Sequence, residues 1–448
     1  MKPHLVLRLA KATRRLPHWR DVAAGRAPRC TSLAPSVDGV LERRNVPFFV
    51  AQEYVPRKGA SSAWSDDEIA SGFDRVYRVV LRSDGMPAEL VAAIRLLPDV
   101  ENVRPGGVAS VRLPEASSLS SPSSRWGRDA IGLEWAHAVT RGDPSVVVAV
   151  LDTGIDAAHP ELAGVSLPGH DFVNVLGDVA GFVGDYLDAD PRPDDEQGHG
   201  THVAGIIAGR GRRMPVGVAP QCRILPVRVL GTFVGKDGRP VGAGMRENID
   251  QGMKWAIDQG AAVVNLSLGL LPEGVADEPH AEVIDYARRR GVTVVAAAGN
   301  DGSERQYYPS ALPHVIAVGA FGRGGAVAPF STRGRQVDVI GPGEDIYSSF
   351  AEHGYAYCSG TSQAAPFVAG TVALLKSAAL RRGTELSDRQ IKHALKRTAD
   401  REGTRLKTRD AGYGRLNAAD ALKFLELKTN STPVARRVRS ASPIEARP

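Results

Sequence analysis

Three short motifs place groups that together can do nucleophilic chemistry. LDTG sets Asp152 at the end of the apolar run VVVAVLD (146–152), GHGTH sets His199 at the entrance to a helix rich in small residues, and GTSQAAP sets Ser362 at the start of another helix. A serine hydroxyl is a weak nucleophile and needs an adjacent base, which a histidine supplies near neutral pH. A buried carboxylate then fixes the histidine tautomer and stabilises the imidazolium formed during attack. Glycines flank each group, so a polypeptide could approach without a Cβ in the way.

The elements that must position these groups alternate along the chain. From Ser145 to Gly370 apolar strands follow one another: 146–152, CRILPVRVL (222–230), AVVNLSLG (262–269), VTVVAAAGN (292–300) and VIAVGAF (315–321). Between them lie helical patterns, such as residues 244–259 with Met245, Ile249, Met253, Ala256 and Ile257 on one face. Continuous apolar strands alternating with helices predict an α/β sandwich with a mostly parallel sheet covered on both faces. Functional groups of such sheets sit at the carboxyl ends of the strands, where Asp152 and Asn300 both fall.

The motifs VAVLDTGID, HGTHVAGIIAG, VVNLSLG, AAAGN and SGTSQAAPFVAG resemble those of the subtilase family of serine peptidases, in the family's order, across about residues 126–425. The resemblance implies a three-layer α/β fold and a serine endopeptidase acting through an acyl-enzyme. It makes Asp152, His199 and Ser362 the triad, His202 a non-catalytic neighbour, and the Asn300 side-chain amide an oxyanion donor. It also implies that Ser267, Leu268 and Gly269 line one side of the substrate cleft and Ala298 and Gly299 the S1 side, with residues 301–309 closing S1. Gln363 departs from the commonest pattern, in which a methionine follows the nucleophile. Two alternatives use the same residues: a non-catalytic binding protein on this fold, and an esterase or peptide ligase with the same triad.

A strand–helix–strand–strand pattern over residues 71–115 is similar to the family's inhibitory prodomain, and the Ser/Pro-rich stretch 116–125 reads as a cleavable linker before a catalytic domain at 126–428. This implies an autoprocessed zymogen whose own N-terminal segment is a partner. Residues 1–70 read as an extension of unknown role and 429–448 as a basic disordered tail. The family's structural calcium would suit the acidic loop carrying Asp185, Asp188, Asp190, Asp194 and Asp195. No cofactor is needed for the chemistry.

The rest of the composition narrows the class. Hydrophobic residues make up 43% of the 448, enough for a large core, and no run approaches the 18 apolar residues of a membrane helix. The net charge of +6 is partly concentrated at the two ends, without the aromatic-interleaved basic face of a nucleic-acid binder. Cys30, Cys222 and Cys358 make neither a zinc-type spacing nor a disulfide framework, and the N-terminus lacks a clean apolar signal core. These features favour a cytoplasmic protein, the alternative being secretion by a non-classical route or from a misassigned start, and the family resemblance implies a monomer.

Overall fold

The computed structural model describes residues 3–83, 85–112, 124–173, 182–183, 192–234, 238, 240–272 and 278–430. Its N-terminal part runs β1 (His4–Leu9), α1 (Trp19–Ala23), α2 (Pro35–Glu42), β2 (Phe48–Gln52), α3 (Asp66–Ser71), β3 (Val76–Leu81), α4 (Leu90–Arg95) and β4 (Val100–Pro105). The four strands form one antiparallel sheet in the order β2-β3-β1-β4.

The period-two alternation of β1 explains its place. Leu5, Leu7 and Leu9 enter a core shared with Val37, Leu41, Val79, Ile94 and Val103, while Val6 faces the opposite way into the core of the main domain. A boundary between an extension over residues 1–70 and a unit at 71–115 therefore does not hold. β1 lies between β3 and β4, and its Leu5, Leu7 and Leu9 share one core with residues of α2, β3, α4 and β4.

The chain continues through β5 (Val108–Arg112), then α5 (Trp126–Ala130), α6 (Leu133–Val139), β6 (Val147–Asp152), β7 (His170–Asp171), β8 (Phe182–Val183) and α7 (His199–Ala208). Next come β9 (Arg223–Arg228), β10 (Gly231–Val234), β11 (Pro240–Met245), α8 (Arg246–Asp258), β12 (Val263–Leu266), α9 (Ala281–Arg289), β13 (Thr293–Ala297) and β14 (Val315–Phe321). β15 (Val339–Pro342), the hairpin β16 (Ile346–Ser349) and β17 (Tyr355–Cys358), α10 (Thr361–Leu380), α11 (Asp388–Thr398) and α12 (Ala418–Asn430) complete it.

Seven strands form a parallel sheet in the order β15-β14-β13-β12-β6-β9-β7, confirming the expected α/β sandwich. α7 and α10 cover one face with Val203, Ile206, Phe367 and Leu374; α8 and α9 cover the other with Ile249, Met253, Val283 and Tyr286. Each fully buried aliphatic side chain contributes about 1.5–3 kcal/mol. Small residues let the layers close: a Cβ on Gly200 would lie 2.0 Å from the Gly154 carbonyl oxygen, so α7 rests directly on the turn after β6.

A second sheet, β5-β11-β10-β8, holds the N-terminal part to the main domain. β5 pairs antiparallel with β11 over Val108↔Met245 to Arg112↔Val241. Below it the N-terminal part covers α8, whose polar residues are buried by it. Arg104 pairs with Glu247 at 2.5 Å and reaches Asp250 at 3.4 Å; Lys254 pairs with Glu68 at 2.7 Å; Gln251 donates to Glu53 at 2.6 Å.

Candidate active site

Asp152 ends β6, and the turn that follows is held in place by its neighbours. The register Leu151↔Leu266 sets Ser267, the residue after β12, beside Asp152 on the adjacent strand. The Ser362 hydroxyl donates to the Ser267 carbonyl at 3.1 Å, while Ser267 Oγ donates to the Ser362 carbonyl at 2.8 Å. Asn265 Nδ2 donates to Ser267 Oγ at 3.0 Å. This cross-strand lattice ties the start of α10 to the carboxyl ends of β6 and β12.

His199 opens α7. Its Nδ1 lies 2.6 Å from Asp152 Oδ1, and both side chains are wholly buried. The same oxygen accepts the Thr153 N–H at 2.8 Å, while His199 Nε2 is buried without a partner. Burial alone would lower the imidazole pKa. The charge and hydrogen bond of Asp152, with the more distant Asp195, outweigh burial and raise it above the ordinary value. The neighbouring His202 behaves oppositely. Burial and the His199 charge push it down to about 3, and its Nε2 bonds the Ile346 and Ala356 carbonyls as a neutral structural donor.

The glycines around His199 serve packing. Gly198 adopts φ 101°, and a Cβ there would meet the Phe350 ring at 2.6 Å. Asp195 fixes the same helix end. Its Oδ1 accepts from Thr153 Oγ1 and the Gln197 and Gly198 N–H groups, its Oδ2 from the N–H and hydroxyl of Thr201. A carboxylate so placed satisfies orphan donors and complements the positive end of α7. The acidic loop expected to hold calcium lies only partly within the described residues: Asp185, Asp188 and Asp190 fall outside them. Asp194 is exposed and 3.8 Å from Arg192. Among the described residues no three acidic, His or Cys side chains converge in a metal-holding group.

Asn300 follows β13. Its Oδ1 accepts the N–H and hydroxyl of Thr361, each at 2.8 Å, which leaves Nδ2 as the outward donor of an exposed amide next to Ser362. Gly360 is needed between them, since a Cβ would come within 2.9 Å of Gln363 Oε1 and 3.3 Å of Asn300 Nδ2. Gln363 is fully buried, with both amide atoms unpartnered.

Of the expected cleft residues, Leu268 and Ala298 turn their side chains into the core, so only their backbone can face a ligand. Gly269 and Gly299 flank Tyr307, which lies in the segment 301–309 expected to close S1. A Cβ on Gly269 would lie 3.3 Å from Tyr307 Cβ, and one on Gly299 would lie 2.5 Å from Tyr307 Cδ2. The ring thus fills the space between the two segments. Its hydroxyl donates to Asp301 at 3.2 Å, and Thr332 donates to the same carboxylate at 2.8 Å. Glu304, in the segment expected to close this pocket, is paired with Arg409 at 3.0 Å on the surface.

Comparison with known proteins finds matches over most of the chain. The profile described as "Subtilase family" matches residues 143–414. A thermophilic serine proteinase of Bacillus sp. (strain AK1) is 35% identical over 371 residues, 82% of each chain. Thermitase of Thermoactinomyces vulgaris is 36% identical over 305 residues, 67% of this chain and 97% of thermitase. Among solved structures, the prenylagaramide maturation protease PagA superposes with a TM-score of 0.53 at 32% identity, covering 66% of this chain and 98% of PagA.

Proposed function

The chain belongs to the subtilase family and is a subtilisin-like serine endopeptidase, and from that premise we propose that Ser362, His199 and Asp152 are its catalytic triad. The observation carrying this reading is the buried 2.6 Å His199–Asp152 pair with an unpartnered Nε2, beside a serine anchored to the adjoining strand. Rotation of Ser362 about χ1 releases its hydroxyl from the Ser267 carbonyl towards His199. The hydroxyl then attacks the scissile carbonyl as Nε2 takes its proton. Asn300 Nδ2 and the Ser362 N–H bind the developing oxyanion, His199 returns the proton to the leaving amine, and water cleaves the acyl-enzyme.

The Tyr307 ring shortens the S1 space, which favours small P1 side chains such as Ala or Ser over Phe or Leu. The N-terminal part acts as an inhibitory prodomain. β5 occupies the edge of β11, which an extended peptide would otherwise join by strand addition, and then leads into the Ser-rich linker. The contact on α8 is built from ion pairs, whose charges are readily rehydrated when the two parts separate. Intact-mass measurement over time tests this. The wild type sheds a fragment ending within about residues 113–126 and Ser362→Ala stays whole; shedding by both, or by neither, refutes autoprocessing.

A further inference from the structure

Arg128 lies on α5, the first helix after the linker, and is buried on the side of the domain that carries α6 and the loop at 211–216. The residue is 2% exposed, and its guanidinium packs over the Phe367 ring, 5.4 Å from the centroid. Nε and Nη1 donate to the neutral carbonyls of Val216 and Tyr347, each at 3.3 Å, and Nη2 has no partner. Asp129 and Glu161, the carboxylates that act on it electrostatically, are engaged elsewhere. Asp129 faces Arg125 at 3.7 Å, and Glu161 accepts the N–H groups of Arg212 and Arg213. Burial lowers the Arg128 pKa to about 10, which leaves it charged at neutral pH. A buried cation without a counter-charge is costly, and folded proteins seldom keep one unless something pairs with it.

Arg128 opens onto a cavity of about 500 Å³ that Arg125, Arg141 and His137 also line. Three guanidinium groups face one carboxylate there, the exposed Glu134. His137 stays a neutral donor to the Val218 carbonyl, its pKa lowered by burial and by Arg141. Guanidinium groups match the oxygens of tetrahedral oxyanions. We propose that this cavity binds a small tetrahedral oxyanion of the phosphate or sulfate type, with Arg125 and Arg141 as its donors and the buried, uncompensated charge of Arg128 in the cavity wall beneath it. Nothing in the proposed hydrolytic mechanism uses these residues.

The site is joined to the catalytic side through β16. Arg128 holds the Tyr347 carbonyl, and the next two residues, Ser348 and Ser349, donate to the His202 and Thr201 carbonyls in the first turn of α7. A bound oxyanion therefore steadies α5, β16 and the helix that carries His199.

The test is thermal unfolding of the full chain in a Ser362→Ala background, so that proteolysis cannot intervene. Inorganic phosphate, sulfate and acetate are titrated against sodium chloride at matched ionic strength. Phosphate and sulfate raise Tm saturably by about 2–4 °C at concentrations well above Kd. The Arg125→Gln/Arg141→Gln double variant, altered only at exposed positions, keeps its Tm in chloride and loses that rise. Arg128→Leu also loses it. A rise of equal size in all variants marks general salting-out and overturns the proposal, as does no rise over chloride. Acetate matching phosphate overturns the tetrahedral assignment.

Discussion

Ser362 Oγ donates to the Ser267 carbonyl, 3.1 Å away, while His199 Nε2 is left without a partner. In the proposed mechanism the nucleophile thus rests on the backbone of the neighbouring strand and must leave it to meet its base.

Substitution of either member of the reacting pair removes activity without unfolding the protein. Ser362→Ala and His199→Ala are each expected to lower kcat by about 10⁵–10⁶-fold. The two losses should not add in the double variant, because the residues act as one unit. Peptide hydrolysis with circular dichroism as a folding control checks this.

The raised His199 pKa sets the pH profile. The base must be neutral, so kcat/KM falls as pH drops through the folded pKa, and the acid limb lies above the ordinary imidazole value of about 6.5. Asp152→Asn removes the charge that holds the proton on, moves the acid limb to lower pH and lowers kcat by about 10⁴-fold. A rate loss with no shift of the limb would contradict the electrostatic role of Asp152.

Asn300→Ala leaves the triad intact but deletes one oxyanion donor, at a cost of about 3–4 kcal/mol in the transition state. The expectation is a 10²–10³-fold lower kcat at nearly unchanged KM. Thr361→Val should show a weaker version of the same defect, since the Thr361 hydroxyl helps fix the Asn300 amide. A change confined to KM would place Asn300 in ground-state binding instead.

Tyr307→Gly opens the space between Gly269 and Gly299. Profiling with P1-varied peptides should show preference moving from Ala and Ser towards Phe and Leu by at least about 10–200-fold, the range that one methylene in an apolar pocket supplies. An unchanged profile would mean that the ring does not limit S1.

Burial opposes ionisation of Glu247, but Arg104 outweighs it and holds the carboxyl well below its usual range. The contribution of the pair is thus present above the ordinary glutamate pKa of about 4.3 and is lost only as pH falls through the depressed folded value. Arg104→Leu leaves the buried Glu247 carboxylate with only His4, 3.6 Å away, a loss of up to about 3–5 kcal/mol. With the N-terminal unit added in trans to processed enzyme, this variant should inhibit at least ~10²-fold more weakly than the native unit.

Much of this was legible in the sequence, and the reasons for the remainder are physical. β6, β12 and β13 are covered on both faces, so they read as continuous apolar runs, and the motifs at Asp152, His199, Asn300 and Ser362 sit at their carboxyl ends or on the helices behind. β1 was not legible: HLVLRL is short, and its partners β3 and β4 lie some seventy to a hundred residues downstream. The density of carboxylates before His199 shows on the page, but whether one faces a cation or a helix end depends on Thr153 and Thr201, brought in by folding. Tyr307 and Arg128 carry no local signal, because a ring against two glycines and a guanidinium without a carboxylate arise only from tertiary packing.

The most direct measurement is fluorophosphonate labelling read by peptide mass spectrometry, before and after removal of the N-terminal unit. The account predicts a single adduct on the peptide containing Ser362, stronger once the unit is gone and absent in His199→Ala. No adduct after removal, or one on another serine, would contradict it.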